Sequence, residues 1–303
     1  MGTFGQSFSQ DDKAVRESLL DIITNLSPTE TQLVSGLGMG MKPKDVLHQY
    51  PIDTLAAVKT NAYAQGSDAS FQTLTDPTRL FNYIQTLRQP FMVSDVEREL
   101  DTAGFSDRYT YESAKAVKLI KNDLEFALMR GSIACGAAST SSASATKMRG
   151  LKQSLSLVTS QSGVSLSEVA LNNYFQLVWD NSSTMVDAVY SSMYIKRKIS
   201  GFTAGATKNV ETTDRRLVNA VDVYQADAAQ MVKLFPHRYV TISGDVNYDI
   251  VGISENYFKI AYLRQPFTRE IARTGDATKG EVVLDATLEA RHYNAGFLGS
   301  AHL

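Results

Sequence analysis

Two apolar, strand-like runs, residues 48–58 and 79–93, are separated by a long polar stretch and followed by one uninterrupted amphipathic pattern over 110–130. The two runs read as a hairpin too long, and too polar at its tip, to build a core of its own, so it needs a partner surface. Within 110–130, Val117, Ile120, Leu124, Ala127 and Leu128 recur at helical spacing, with Lys115, Lys118, Lys121, Asn122 and Glu125 mostly on the opposite side. This predicts a long helix with one packed face and one face left to water or to a neighbour.

Upstream, Val15, Leu19, Ile22, Ile23 and Leu26 form one stripe within 8–26 and predict a short amphipathic helix. Ser27, Pro28 and Glu30 supply a cap, a first-turn proline and a capping-box glutamate for a second helix running to Ser35. The glycine-rich stretch 36–43 ends that helix as a flexible turn; nucleotide-binding glycine patterns have other spacings and follow a strand. Ser94 and Glu97 form another capping box, with Val96, Leu100 and Ala103 on one face and Gly104 as the stop. Residues 131–146, nearly all Ala, Ser, Thr and Gly, lack the volume to anchor a core and read as a flexible surface connection.

Ser165 and Glu168 cap a helix with Leu171, Tyr174, Phe175 and Val178 as its stripe, and 185–199 reads as one more helix ending at Gly201. After a polar, turn-rich stretch at 203–216 come β-prone runs at 220–226, 231–235, 239–243 and 257–263. Finally, Val282, Leu284, Ala286, Leu288 and Ala290 alternate with Val283, Asp285, Thr287, Glu289 and Arg291, the period of a half-buried strand.

Composition narrows the function classes. A chain of 303 residues with 43% hydrophobic content buries a sizeable core in one large domain or two ordinary ones. A net charge of -2 gives no overall drive toward nucleic acid, which is bound by clustered Lys and Arg. Its lone cysteine, Cys135, forms no internal disulfide, which points to the cytosol. No run of about 18 apolar residues is present and the N-terminus lacks a basic-then-apolar signal, so neither secretion nor a membrane is expected. Gly2 invites myristoylation, but Gln6 stands where that motif has Ser or Thr.

In this order the chain resembles the major capsid proteins of tailed bacteriophages with the Hong Kong 97 type fold. The likeness is carried by collinear pieces: Asp21 through Thr31, Asp53-Thr-Leu-Ala-Ala57, Asn61-Ala62, Gly66-Ser-Asp-Ala69, Pro77-Thr-Arg79 and Asn82-Tyr-Ile-Gln85. It continues through Val93-Ser94, Lys121-Asn-Asp-Leu-Glu125, Lys147-Met-Arg-Gly-Leu151, Thr274-Gly-Asp-Ala277 and Thr287-Leu-Glu289.

The resemblance implies an α+β fold with an N-terminal arm (1–45), an extended β-hairpin loop (46–93) and a peripheral domain (94–146) with a spine helix at 110–130. An axial domain (147–255) follows, and C-terminal strands (256–303) return to the peripheral domain. It further implies self-assembly into hexamers and pentamers of an icosahedral shell around double-stranded DNA, built in the bacterial cytoplasm and located in the virion. Leu19, Ile22, Ile23, Leu80, Tyr83, Ile84 and Leu87 are the expected intersubunit contacts. Expected partners are sister copies, a separate scaffolding protein, a portal, cement proteins and loosely held packaged DNA. Gln65 precedes Gly66 where the family pattern has an acidic residue, which weakens any charged contact at the loop tip.

No catalytic, cofactor or metal residues are expected. His48, His237, His292 and His302 form no HExxH or His-x-His pair, and His48 beside Tyr50 reads as a hydrogen-bonded structural histidine, as does His237. The serines of 139–144 lack a nucleophile elbow; Asp180 with Asp187, and Glu97 with Glu99, read as solvated charge. Lys196-Arg-Lys198 and Arg215-Arg216 read as solvated helix ends or intersubunit ion pairs rather than DNA contacts. Some shells of this fold join a lysine to an asparagine; Lys59 and Asn61 lie near the loop, but the positioned acid or base this needs is not legible in sequence. The competing readings are a soluble oligomeric enzyme with an unrecognised pocket and a tail-tube or decoration protein, and particle size separates them.

Overall fold

The computed structural model describes residues 31–302 except 56, 69–70, 72–75, 101–106, 137–144, 203–222, 227–230 and 243–246. The stripe at 8–26 with Leu19, Ile22 and Ile23, the cap at 27–30, Ala103, Gly104, the serines of 139–144, and the polar stretch with Arg215 and Arg216 lie outside the described residues.

In chain order the elements are α1 (Gln32–Gly36), β1 (Leu47–Ile52), β2 (Thr78–Tyr83), β3 (Gln85–Ser94), α2 (Asp95–Glu99), α3 (Arg108–Arg130), α4 (Leu151–Ser154), β4 (Leu157–Ser160) and α5 (Glu168–Ser182). They continue as β5 (Ala188–Ser191), α6 (Met193–Ser200), β6 (Val223–Gln225), β7 (Met231–Pro236), β8 (Tyr248–Ile253), β9 (Phe258–Ile271), β10 (Ala277–Ala290) and β11 (Gly296–His302). β1 and β2 form a two-stranded hairpin; β3, β10 and β9 form an antiparallel sheet; the six-stranded sheet runs β4-β11-β8-β5-β7-β6.

α3 is the predicted long helix, started two residues early by Asp107, whose carboxylate accepts the Tyr109 and Thr110 amides. Ile120, Leu124, Ala127 and Leu128 are buried as expected, in one core with Val282, Leu284, Ala286, Leu288 and Phe258. A second core joins Leu171, Tyr174, Phe175 and Val178 of α5 to Ile195, Val232 and Phe297.

Several expectations are corrected. The run 79–93 is two strands: its first half pairs with β1 and its second with β10, the switch falling at Ile84. The run 48–58 keeps strand structure only to Ile52. α2 stops at Glu99 without a side-chain bond from Ser94, and Val96 and Leu100 stay exposed, because five residues give too short a stripe to bury. Ser167, not Ser165, caps α5 by accepting the Ala170 amide. The segment 185–199 is half strand: Ala188 to Ser191 enter the middle of the six-stranded sheet, where Val189 and Tyr190 are buried on both faces. Of the expected run 239–243, the described residues 239–242 are not a strand, whereas β4, β8 and β11 are strands the pattern did not announce. β9 and β10 pair with each other, and β10 with β3, in the sheet that α3 packs on, whereas β11 pairs with β4 and β8 in the six-stranded sheet.

The glycine-rich stretch is no flexible turn. Gly38 to Met41 lie along β9, with the Gly40 amide donating to Ile260 O (2.8 Å) and the Ile260 amide to Gly38 O (3.0 Å). A Cβ on Gly40 would stand 2.3 Å from the Glu289 carboxylate, so close approach is the reason for glycine there.

Candidate assembly surfaces

The base of the β1–β2 hairpin is pinned by polar atoms. Asn82 is 1% exposed; its Nδ2 donates to Arg149 O (3.0 Å) and Leu288 O (2.8 Å), and its Oδ1 accepts the Arg149 (2.8 Å) and Tyr83 (2.9 Å) amides. Tyr50 Oη accepts the Ala290 amide (3.1 Å), and burial pushes the phenol far above its ordinary pKa. The hairpin is thereby tied to β10 while the loop beyond it projects: Leu55 and Phe71 are 99% and 97% exposed, and Val58 is fully exposed.

Of the predicted contact residues on this loop, Leu80 and Tyr83 are half-buried. Ile84 is buried in its own chain, and Leu87 packs against the core opposite Leu284, so neither offers its side chain outward.

The other element leaving the body is the strap of residues 31–41. Glu125, expected on the wet face of α3, is fully buried; its carboxylate accepts the Leu33 (2.7 Å) and Val34 (2.9 Å) amides at the start of α1. His237 Nε2–H donates to the same carboxylate (2.8 Å), while His237 Nδ1 accepts the Tyr239 amide (3.2 Å), which assigns the proton to Nε2. At the far end of the strap Glu289 accepts the Met41 amide (3.2 Å), with His48 Nε2 at 3.9 Å and Arg291 Nε at 2.9 Å. Burial pushes the Glu289 carboxyl up, but His48, Arg291 and the Met41 amide outweigh it and hold the group below the ordinary glutamate range. Two buried carboxylates, each beside a histidine, thus hold one strap by its backbone N–H groups.

The polar side of β10, expected at the surface, is also buried. Arg269 pairs with Glu281 and Arg264 with Asp285, covering the carboxylates from β9. Asp285 is pushed up by burial and brought below its ordinary range by Arg264, Thr86 and Arg88.

Catalytic geometry does not emerge from these groups. His302 Nε2 meets Tyr174 Oη (3.2 Å) in the second core, and burial lowers the pKa of both His302 and His292. Among the described residues there is no group of three or more His, Cys, Asp or Glu placed to hold a metal. An open depression of about 520 Å³ is lined by Asp95, Arg98, Glu99, Asp107 and Arg273, whose charges pair as Arg98–Asp107 (3.6 Å) and Arg273–Asp95 (3.1 Å). Lys59 and Asn61 are both exposed. No helix of the described residues is long and apolar enough to cross a membrane.

A spine helix on a three-stranded sheet, a pinned hairpin with a projecting loop, a strap, and a second six-stranded sheet define a shell-building protein of the Hong Kong 97 type. The family model for the SU10 major capsid protein matches residues 2–300, and the chain belongs to that family. It is therefore a major capsid protein of the tailed-phage icosahedral shell, a structural protein of the virion rather than an enzyme.

Solved structures share the fold at low identity. The capsid of a native GTA particle has a TM-score of 0.68 at 11% identity, covering 97% of this chain and 98% of that one. The SrpI encapsulin complex from Synechococcus elongatus PCC 7942 gives 0.61 at 10%, covering 98% and 95%. The phage G gp27 major capsid proteins, solved with gp26 decoration proteins, give 0.58 at 9%, covering 98% and 99%. No curated protein matches the sequence.

Proposed function

We infer that the subunit closes its shell as hexamers and pentamers by laying the loop between β1 and β2 on adjacent copies. In this reading 46–93 is the extended loop, 94–146 with β9 and β10 the peripheral domain, and 147–255 with β11 the axial domain. The observation that carries it is the exposure of Leu55, Val58 and Phe71 on a loop whose base is rigidly pinned. A soluble monomer gains nothing from such side chains, and burying each against a neighbour contributes about 1.5–3 kcal/mol. Leu80 and Tyr83, half-buried along the same hairpin, extend the contact. Repetition around closed symmetric rings turns these modest contacts into cooperative closure.

The further partners of this reading are a separate scaffolding protein, a portal, loosely held DNA and a cement protein. Phage G, whose capsid carries decoration proteins beside its major capsid protein, supports the last of these.

The test is Val58→Asp combined with Phe71→Asp, compared with Leu124→Asp. The loop variant is expected to give soluble subunits with the parental melting transition but no closed particles by gel filtration and negative-stain imaging. Leu124→Asp, a charge in the core, is expected to remove soluble protein altogether. Shells at normal yield from the loop variant overturn the assignment.

A further inference from the structure

At its β4 end the six-stranded sheet carries a surface almost free of charge. From Gln153 to Trp179 the chain has one charged side chain, Glu168, although 20% of its residues overall are charged. That one carboxylate accepts the Tyr224 hydroxyl of β6 (3.4 Å). The surface is nonetheless well exposed: Val158, Val164 and Val169 are 54%, 60% and 69% open to solvent. Between β4 and α5 runs an open groove of about 390 Å³, lined by Thr159, Gln161, Val169, Asn173, Tyr174 and Leu177 among others. On α5, Val169, Asn173 and Gln176 stand at i, i+4 and i+7 and all are exposed, so the helix shows an uncharged stripe beside the groove.

β4 is itself an edge strand, bonded to β11 on one side and open on the other. Soluble proteins guard such edges with lysine, proline or a bulge. Leu157-Val-Thr-Ser160 has none of these, and Ser156 and Gln161 at its ends add none. An unguarded edge beside an exposed, charge-free groove is a liability in water, but it has the composition of the centre of a protein interface, from which charge is depleted. Other exposed surfaces carry an ordinary load of charge: Lys115, Lys118 and Lys121 on α3, and Arg264, Arg269 and Glu270 on β9. A subunit of a closed shell turns its outer and inner faces to the medium and the contents, and its sides to sister copies. Only the sides are relieved of facing water, and the shell that this family builds supplies a copy at every side.

We propose that the charge-free surface made by β4 and the Val169, Asn173 and Gln176 stripe of α5 is a lateral contact that seats against an adjacent copy of this chain in the same ring. It lies apart from the loop between β1 and β2, so each subunit grips its neighbour at two places. Copies in a ring are related by a rotation that closes on itself, and the contact is therefore heterologous: this surface meets a different part of the neighbour, not its own counterpart. The assignment rests on the chain being a shell subunit and is independent of where the loop lands.

A photo-crosslinking amino acid placed at Val169 of the full chain tests this directly. Irradiated in assembled particles, it is expected to join two chains, linking position 169 to a peptide outside 153–179; dilute unassembled subunits are expected to give no such pair. Val158→Lys with Val169→Lys, which would bury two unpaired charges in the contact, is expected to lower particle yield several-fold with the melting transition of the subunit unchanged, since both positions are exposed in the single chain. Parental particle yield from the lysine pair, a crosslink confined to one chain or made to a different protein, a link of 153–179 to itself across two copies, or no product from parental particles each overturn the proposal. The loop is read separately: normal shells from the Val58→Asp, Phe71→Asp variant overturn the loop contact and leave the crosslinked pairs at 169 in place.

Discussion

Replacing Glu125 by alanine strands three donors at once: the Leu33 and Val34 amides and His237 Nε2–H, all within 2.9 Å of the carboxylate, with Leu33 and His237 buried and Val34 partly so. An unsatisfied buried donor costs about 1–3 kcal/mol, so after partial relaxation the loss comes to about 3–6 kcal/mol, a large share of the roughly 5–15 kcal/mol that holds a domain folded. Glu125→Gln keeps the volume and one acceptor oxygen but turns an amide N–H₂ toward a donor and loses the charge, for about 2–3 kcal/mol. His237→Ala on top of Glu125→Ala is expected to add far less than it does alone, because the imidazole's partner is already gone. The measurements are urea unfolding of unassembled subunits and hydrogen exchange at the Leu33 and Val34 amides. Alanine at 125 within about 0.5 kcal/mol of the parent, with both amides still protected, refutes the anchoring role, since that is the noise of ordinary surface substitutions.

Two further outcomes are expected. A Cβ at Gly252 would sit 2.1 Å from the Phe297 ring opposite it, and that ring stacks on Tyr174 at 5.0 Å; Gly252→Ala is therefore expected to lose about 1–3 kcal/mol of overpacking in a melting experiment. The lowered folded-state pKa of Glu289 makes its contribution fully present above the ordinary glutamate value of 4.5 and progressively lost as pH falls through the folded value, so acid unfolding of the subunit is expected to flatten in Glu289→Gln over that window.

The long, regular pieces were legible before any coordinates. α3 spans 23 residues and repeats its stripe from Val117 to Leu128 over about three turns, and the α5 stripe of Leu171, Tyr174, Phe175 and Val178 coincides with its buried residues. Short apolar runs were not: Val186 to Ser191 fits a helix face as well as a strand, and only its place between β7 and β8 decides. On β10 the alternation is real, but its polar set is buried under Arg264 and Arg269, and a period of two cannot show that a neighbouring strand brings arginines to cover carboxylates. Glu125 sits among lysines in sequence and reads as wet; its partners are a histidine 112 residues away and the amides of a strap 92 residues away. Of the exposed loop residues, Leu55 and Val58 close the first apolar run and read as part of a strand, while Phe71 lies in the polar stretch after it, where no periodic signal marks it.

The distribution of buried polar groups follows from what a shell subunit has to do. Apolar packing is non-directional, and the core between α3 and β10 would accept a strap or a hairpin at several angles with little difference in buried area. Hydrogen bonds are directional, and a buried donor or acceptor left unmatched is costly, so a fully matched one selects a single geometry. In this chain such groups stand where an element leaves the body: Asn82 and Tyr50 at the hairpin base, and Glu125 and Glu289 at the two ends of the strap. Identical copies meet only if each launches its loop in the same direction. The loop's own side chains remain uncovered for the neighbour, and the cost of fixing the launch angle is carried inside the subunit, before any neighbour arrives.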